Sequence, residues 1–490
     1  MQMRLVNGLI LTVMAVGMAV RMGAQVVPPV AVEPVPTAQQ VAWQRMETYA
    51  FVHFGPNTFL DQEWGYGDAD PACFNPTRLD CEQWASTVKA AGMQGIILTA
   101  KHHDGFCLWP TQYTDYNISR TPYKGGRGDI VGELAAACRK HGLKLGLYLS
   151  PWDRHQATYG TAWYVDYYYK QLKELLTHYG PLFEIWLDGA NGGDGWYGGA
   201  CEKRTIDRRT YYDWPRGHEL IARLQPGAVI FSDGGPGCRW VGNEDGHAGE
   251  TNWSLLRIGE VYPGYEHYQE LTGGHADGDA WVAAECDVSI RPGWFYHERE
   301  DTLVKSVDQL VDLYYHSVGH NGTMLLNFPV DREGLIHPID SARAVAMHQR
   351  IQAELSHNLL ASATIKASNI RHKRQFAVQH LTDSNPDTYW ATADGVTQAT
   401  LEFSFKTQQR INRLMLQEYI PLGQRVRAFS VEYYNQGRWH AIDPGEETTT
   451  IGYKRLLRFG AITASRLRIR FTDSRGPLCI SEVGAYCAPS

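Results

Sequence analysis

The sequence predicts an α/β chain with two domains: a (β/α)8-like TIM barrel followed by an all-β sandwich. Three observations predict it. Short apolar runs recur about forty to fifty residues apart through residues 42–352, which leaves room for a crossover helix. A polar side chain stands at the end of almost every run. From residue 358 to residue 488, short alternating segments separated by turn residues replace the helical pattern.

The predicted barrel strands are seven apolar runs, at residues 49–52, 95–98, 143–147, 183–187, 228–231, 280–284 and 324–326. Helical patterns fit between several of them, at residues 81–91, 130–141, 163–179 and 302–317. Parallel strands joined by right-handed crossovers have this order. A barrel gathers the residues at the carboxyl ends of its strands into one pocket, so we expect the polar residues there to converge.

The residues at the ends of these runs carry chemistry. In chain order they are His53, Lys101, His102, His103, Asp104, Tyr148, Ser150, Asp188, Asp233, Glu285, Asp287 and Asn327. Asp188 follows an apolar strand pattern and precedes a glycine, which predicts a strand tip facing a cleft. Glu244 lies in a segment with Trp240 and glycines that is typical of a loop. Two carboxylates in such different settings indicate glycoside hydrolysis, with one ionised and one protonated.

The composition excludes some classes of function. The net charge of -7 is mild, and without a basic patch nucleic acid is not an expected partner. The chain has 15 tryptophans and 27 tyrosines, which suit the apolar faces of sugars but also fill large cores. Nine cysteines show no zinc-type spacing, so no metal cluster is expected. A bridge between Cys479 and Cys487 is left open.

The N-terminus has the outline of a secretory signal peptide over residues 1–24. Arg4 precedes an apolar run at residues 9–20, and small residues favour cleavage after Ala24. Arg21 interrupts the run, which is too short for a transmembrane span. Residues 25–41, rich in proline and valine, predict an extended lead-in outside the fold. The mature protein is expected in the periplasm or outside the cell.

The C-terminal segments resemble a discoidin-like, galactose-binding β-sandwich. The resemblance rests on residues 381–383, 389–391, 438–439 and 480–483. It implies that Trp390 is a core residue. Fold analogy also allows a structural calcium ion, and it leaves open whether this domain binds glycan.

The first domain resembles glycoside hydrolase family 29, the retaining α-L-fucosidases, over residues 42–327. The motifs that carry this resemblance are HFG at 53–55, EWG at 63–65, KHHDG at 101–105, LYLS at 147–150, WLDG at 186–189 and WVGNE at 240–244. Residues 239–244 and 289–294 resemble the narrower, subfamily B-like branch. That branch prefers α-1,3- and α-1,4-linked fucose on branched Lewis-type glycans, so fucosylated oligosaccharides or glycoconjugates are the expected substrates.

The resemblance also implies roles for residues. Asp188 would be the nucleophile and Glu244 the acid/base, with their carboxyls about 5–5.5 Å apart. Asp245, Glu250 and Glu285 compete with Glu244 for its role. The residues implied to contact the sugar's polar groups are His53, Glu63, His102, His103 and Tyr148, and those implied to pack on its apolar side are Trp64 and Trp294. No cofactor is required.

Two features depart from the family pattern. Leu187 stands where phenylalanine is common, and an insertion at residues 192–201 lies between the two carboxylates. Three other functions remain open: a metal-dependent barrel hydrolase using His102 and His103, a non-catalytic fucoside- or galactoside-binding protein, and an α-L-galactosidase. The sequence leaves the oligomeric state open.

Overall fold

The structure, a computed structural model, describes residues 26–489, so the predicted signal peptide lies outside the described residues. Eight parallel strands close into a barrel in which each strand pairs with its neighbours in sequence. They are β1 Thr48–His53, β2 Gly95–Lys101, β3 Lys144–Leu149, β4 Leu182–Trp186, β5 Val229–Ser232, β6 Cys238–Trp240, β7 Ala283–Ser289 and β8 Thr323–Pro329. The predicted barrel is therefore confirmed.

Eight α-helices occur in the described part of the chain, all of them between residues 38 and 355. They are α1 Ala38–Gln44, α2 Pro56–Leu60, α3 Cys81–Ala90, α4 Ile130–His141, α5 Ala162–His178, α6 Trp214–Leu224, α7 Val307–Ser317 and α8 Pro338–Leu355. Side chains that cap the helix N-termini include Asp80 before α3, Asp129 before α4 and Ser306 before α7. Each accepts hydrogen bonds from backbone N–H groups that have no partner inside the helix.

Strand β6 was missed by the sequence pattern. It has three residues and begins only six residues after β5 ends. Its residue Cys238 nevertheless pairs in parallel with Phe231 of β5 and with Ala283 of β7. No α-helix crosses from β5 to β6 or from β6 to β7, although both connections lie within the described residues. The expected spacing of a strand, a helix and a strand therefore fails here, and the long β6–β7 connection carries Glu244 instead.

The barrel strands are buried on both faces. Aliphatic residues of the strands pack outward against the helices in a large core. The inward face is aromatic, and its buried rings include Tyr49, Phe51, Tyr148, Trp186 and Phe231. Burial on both faces explains why these strands are continuous apolar runs rather than alternating ones.

The second domain is antiparallel and built on two long, bulged strands. Its strands are β9 Thr364–Ala367, β10 Trp390–Ala391, β11 Ala399–Glu418, β12 Val426–Asn435, β13 Arg438–Ala441, β14 Arg455–Ser474 and β15 Cys479–Tyr486. Alternate residues of β11 and β14 point into a separate core. Trp390 is fully buried in it, as expected. The all-β sandwich prediction is confirmed.

The lead-in lies against the sandwich rather than apart from the fold. Val32 N–H donates to Leu422 O (2.9 Å), and Arg425 Nη2 donates to Val30 O (2.8 Å). Helix α1 begins at Ala38, inside the range expected to be extended. The expectation that residues 25–41 stand outside the fold is corrected for residues 26–41, because arginines of the sandwich bind the free carbonyls of this proline-rich backbone.

Two further findings concern a possible disulfide bond and a possible membrane span. All nine cysteines are free thiols, and Cys479 and Cys487 form no bridge. None of the helices within residues 26–489 is long and apolar enough to cross a membrane.

Candidate active site

A cavity of about 90 Å³ opens at the carboxyl ends of the barrel strands. Eight of the nine predicted site residues line it, together with four that were not singled out as site residues. The predicted eight are His53, Trp64, His102, His103, Tyr148, Asp188, Glu244 and Trp294, and the other four are Phe51, Trp186, Ala190 and Asp287.

Asp188 lies two residues beyond the end of β4, at the tip that the sequence predicted. One carboxylate oxygen, Oδ1, accepts a hydrogen bond from Ala190 N–H (2.7 Å), and Oδ2 accepts one from the Tyr148 hydroxyl (2.9 Å). His103 Nε2 lies 3.8 Å from Oδ2. These contacts fix the orientation of the carboxylate in the cavity wall.

Glu244 lies at the mouth of the cavity on the loop that follows β6. Its Oε2 accepts a hydrogen bond from Trp294 Nε1 (3.1 Å). Partial burial, and then the negative charges of Asp188, Glu63 and Asp245, raise the pKa of Glu244 above its usual value. A carboxyl group whose pKa is raised in this way keeps its proton to higher pH than usual, which suits a general acid.

Three histidines form the polar wall of the cavity. His53 ends β1, and its Nδ1 lies 2.8 Å from Asn327 Oδ1. His102 and His103 follow β2, and His103 Nδ1 lies 2.8 Å from the Ser150 hydroxyl. Burial lowers the pKa of all three, to about 3 for His53. Each ring is therefore neutral near pH 7. Because His53 Nδ1 and His103 Nδ1 already contact Asn327 and Ser150, each of these two rings has only Nε2 left for a hydroxyl group of the ligand.

Glu63 is the one predicted site residue that does not line the cavity. Its carboxylate accepts hydrogen bonds from Trp294 N–H (2.8 Å), Phe295 N–H (3.2 Å) and His297 Nε2 (2.6 Å). Both oxygens are thus used to hold the segment that carries Trp294. In the structure Glu63 shapes the cavity through this tryptophan.

Asp287 is the most unusual of the four additional lining residues. It is buried, accepts a hydrogen bond from Trp240 Nε1 (2.9 Å), and has its pKa raised well above the usual value by burial and by the charge of Glu244. The strand pattern placed it near the end of β7. Its position beside Glu244 depends on the β6–β7 loop, which a local pattern does not specify.

A wider groove of about 480 Å³ continues from this cavity and shares Trp64, Asp188 and Glu244 with it. Its remaining walls combine aromatic and polar side chains: Arg208, Phe231, Asp233, Trp240, Tyr265, Glu266 and Tyr268. The predicted insertion forms a hairpin of Gly193–Gly195 and Glu202–Arg204. Arg208 follows this hairpin and donates to Gly264 O (2.8 Å). The two spaces therefore form one continuous site with a narrow inner part and an open outer part.

The groups of side chains placed closely enough to hold one metal ion do not line this cavity. Within residues 26–489, the groups of three or more metal-binding side chains are His247 with Asp312 and His316, and Glu184 with Cys238 and Glu285. Neither group includes His102 or His103. The structure therefore gives no support to a metal centre built on that histidine pair.

The calcium ion that fold analogy allows in the sandwich stays a prediction. Glu482 Oε2 accepts a hydrogen bond from Ser384 N–H (3.2 Å), and the Thr388 hydroxyl donates to Asp383 (2.7 Å). Burial and the charge of Asp383 raise the pKa of Glu482 to about 7. Within residues 26–489, neither acid belongs to a group of three or more His, Cys, Asp or Glu side chains close enough to share one ion.

Comparisons with known proteins cover both domains. The alpha-L-fucosidase family model matches residues 15–354, and the F5/8 type C domain model matches residues 364–483. Alpha-L-fucosidase 1 of Arabidopsis thaliana is 44% identical over 94% of this chain and 88% of its own length.

Two solved structures extend the comparison. A glycoside hydrolase 29 family member from a rumen bacterium superposes with a TM-score of 0.84 at 45% identity, over 94% of this chain and 78% of that chain. A Ruminococcus gnavus GH29 fucosidase in complex with fucose superposes with a TM-score of 0.85 at 32% identity, over 95% and 97%. The chain belongs to glycoside hydrolase family 29 and is an α-L-fucosidase with a C-terminal F5/8 type C domain.

Proposed function

We propose that this enzyme is an exo-acting, retaining α-L-fucosidase that removes α-1,3- and α-1,4-linked fucose from Lewis-type oligosaccharides. One observation carries the proposal: Asp188 and Glu244, in different environments, line a single cavity that continues into an open groove. The inner cavity would take the fucose ring, and the groove would take the sugars to which fucose is attached.

In the first step Asp188 Oδ attacks the anomeric carbon of the fucoside. A bond forms between the carboxylate oxygen and that carbon, the glycosidic C–O bond breaks, and the proton of Glu244 passes to the leaving oxygen. Tyr148 and Ala190 N–H support the proposal because they orient the attacking carboxylate. The products are a fucosyl-enzyme ester and the shortened glycan.

In the second step Glu244, now ionised, takes a proton from a water molecule that attacks the same carbon. The ester bond to Asp188 breaks, and fucose leaves with its original anomeric configuration. A retaining reaction needs the two carboxyls about 5–5.5 Å apart in the closed site, and that separation remains a prediction.

The cavity has the polar groups and the apolar faces that a single fucose needs. Neutral His53, His102 and His103 would exchange hydrogen bonds with the ring hydroxyls. Trp64 and Trp294 would cover the apolar side of the sugar and its methyl group. Trp64 is 54% exposed at the cavity rim, so its ring is free to pack on a sugar. The related Ruminococcus gnavus fucosidase was crystallised with fucose, which supports this ligand.

The outer groove supports the linkage proposal. A branched glycan presents two sugar units beside the fucose, and the groove offers several aromatic rings on which they would stack. Trp240 and Tyr268 lie 5.7 Å apart between ring centroids and form one wall. Arg208 and Glu266 would bind hydroxyl groups at the other side.

Export to the periplasm or beyond is also proposed, on the sequence of residues 1–24. The cell would cleave the precursor after Ala24, and the lead-in held on the sandwich would then begin the mature chain. Intact mass of protein recovered from the exporting host would show a mature N-terminus at Gln25, whereas a full-length mass would contradict export.

The test uses wild type, Asp188→Ala and Glu244→Ala, with Asp245→Ala as the matched control because it removes a neighbouring carboxylate of the same loop. Turnover is measured on an aryl α-L-fucoside, a Lewis-type trisaccharide and an α-1,2-linked fucosyl disaccharide. Both site variants should lose turnover, the control should keep it, and the trisaccharide should be preferred to the α-1,2 substrate. A preference for α-1,2 linkage would overturn the linkage proposal alone.

The two alternatives predict other results in the same assay. A non-catalytic binding protein would bind fucosides without any turnover by wild type. An α-L-galactosidase would cleave an aryl α-L-galactoside, added as a fourth substrate, at least as fast as the fucoside. A pocket that packs closely around the methyl group would disfavour the extra hydroxyl.

A further inference from the structure

Two glutamates are buried inside the barrel, beneath the cavity. Glu184 lies on β4 and Glu285 on β7, and neither side chain has any exposed surface. Their carboxylate oxygens lie within 4.8 Å of each other and of Cys238 Sγ. Within the part of the chain that the structure describes, no lysine, arginine or histidine forms an ion pair with either. The proposed reaction uses neither group.

A buried pair of this kind is stable only if one carboxyl group keeps its proton. Two ionised carboxylates so close together, without water or a cation, would repel each other and lose their hydration. Burial raises the pKa of both groups, and the charge of Glu285 raises that of Glu184 further. One shared proton lets the pair form a carboxyl–carboxylate hydrogen bond.

The remaining oxygens of the pair are bound by aromatic donors. Trp186 Nε1 donates to Glu285 Oε1 (2.7 Å), and the Tyr49 hydroxyl donates to Glu285 Oε2. Trp43 Nε1 donates to Glu184 Oε2 (2.8 Å). Each contact is a hydrogen bond from a ring that belongs to the aromatic core of the barrel.

Trp186 connects this pair to the active site. Its indole lines both the cavity and the groove, stacks on Phe231 at 3.9 Å between centroids, and lies 5.2 Å from the ring of Tyr148. Tyr148 in turn donates to Asp188. Because Glu184, Trp186 and Asp188 alternate along β4 and its end, all three face the barrel axis.

We infer that Glu285 is a positioning residue for the fucosidase reaction, which holds the Trp186 indole as the floor of the cavity, and that Glu184 fixes Glu285 through a shared proton. If the Trp186 indole rotated, it would displace both the bound sugar ring and Tyr148. The inference rests on the proposed active site around Asp188.

The test is a double-mutant cycle on the full-length enzyme, with kcat and KM measured on an aryl α-L-fucoside. Glu285→Leu should lower kcat/KM about tenfold or more, because it removes a buried charge-assisted hydrogen bond. Glu285→Gln should stay within about threefold of wild type, since its carbonyl oxygen still accepts from Trp186. In the Trp186→Phe background, Glu285→Leu should cause no further loss.

Thermal unfolding of each variant accompanies the kinetics. If the double variant loses kcat/KM by the product of the two single losses, Glu285 does not act through the indole of Trp186. That result would overturn the inference. Glu184→Gln keeps a donor toward Glu285, so it should also remain within about threefold of wild type. If Glu285→Leu does not fold, a folded Glu285→Gln or Glu184→Gln enzyme with a loss above about tenfold would still overturn it.

The proposed active site and the positioning role of Glu285 can be refuted separately. An active Asp188→Ala enzyme would refute the proposed active site. An inactive Asp188→Ala enzyme together with a fully active Glu285→Leu enzyme would refute only the positioning role.

Discussion

Replacing Trp294 with phenylalanine tests how the protein sets the protonation of Glu244. The indole Nε1 donates to Glu244 Oε2 at 3.1 Å and therefore favours the ionised carboxylate, which lowers the pKa of this group against the opposing effect of burial. Phenylalanine keeps an aromatic ring beside His53, from which the indole lies 5.2 Å. Loss of the donor should raise the pKa of Glu244 further.

The size of the effect follows from the geometry. A hydrogen bond to a buried charged group contributes about 1.5–3 kcal/mol, and exposure of Glu244 at the cavity mouth reduces this to about 1 kcal/mol. Since 1.36 kcal/mol corresponds to one pH unit, the shift is about 0.7 pH unit. The acid form persists to higher pH, so the alkaline limb of kcat/KM moves upward.

The assay measures kcat/KM from pH 4 to pH 9 by fucose release from a Lewis-type trisaccharide, whose poor leaving group needs acid assistance. Trp64→Phe is the matched control, because Trp64 lines the same cavity and makes no hydrogen bond to Glu244. Its alkaline limb should match that of wild type. An unchanged or downward-shifted limb in Trp294→Phe would refute the proposed link between the indole and Glu244.

Three further predictions concern single contacts. Tyr148→Phe removes the 2.9 Å hydrogen bond to Asp188 and should lower kcat/KM about 10- to 100-fold, with stability nearly unchanged; full activity would contradict the orienting role. Burial and the charge of Asp188 raise the pKa of Asp233 to about 7. Between about pH 4 and pH 7 the folded state therefore binds more protons than the unfolded state. The stability that the protonated Asp233 contributes is lost as pH rises through 7. Asp233→Asn should therefore reduce the fall in Tm between pH 5 and pH 8, and an identical pH dependence would contradict it. Chelation should leave turnover intact, because the metal-binding groups within residues 26–489 do not include His102 or His103; loss of activity on chelation would instead favour the metal-dependent alternative.

The barrel could be predicted because its strands are buried on both faces and stand out as apolar runs. Strand β6 could not, since three residues give no periodicity and no helix separates it from β5. The sandwich was predictable from alternation along its strands, where inward residues such as Leu401 and Phe403 are buried. The lead-in was misjudged because its contacts with Arg425 and Leu422 join segments almost 400 residues apart.

The site shows the same division between local and distant effects. Asp188 and the histidines were predictable because strand ends converge in a barrel. The use of Glu63 to hold the Trp294 segment is a contact between loops 231 residues apart, and no local pattern encodes it. The inward direction of Glu184 could be predicted from the sequence, because it alternates with Trp186 and Asp188 and therefore faces the inside of the barrel.

The most direct test of the central claim is azide rescue, with the anomeric configuration of the product read by NMR. Asp188→Ala should yield β-fucosyl azide, because azide replaces the nucleophile and inverts the anomeric carbon once. Glu244→Ala should yield α-fucosyl azide, because azide attacks the fucosyl-enzyme ester in place of water. The exchanged pattern, or no azide product from either variant while Asp245→Ala remains fully active, would contradict the assignment of nucleophile and acid/base.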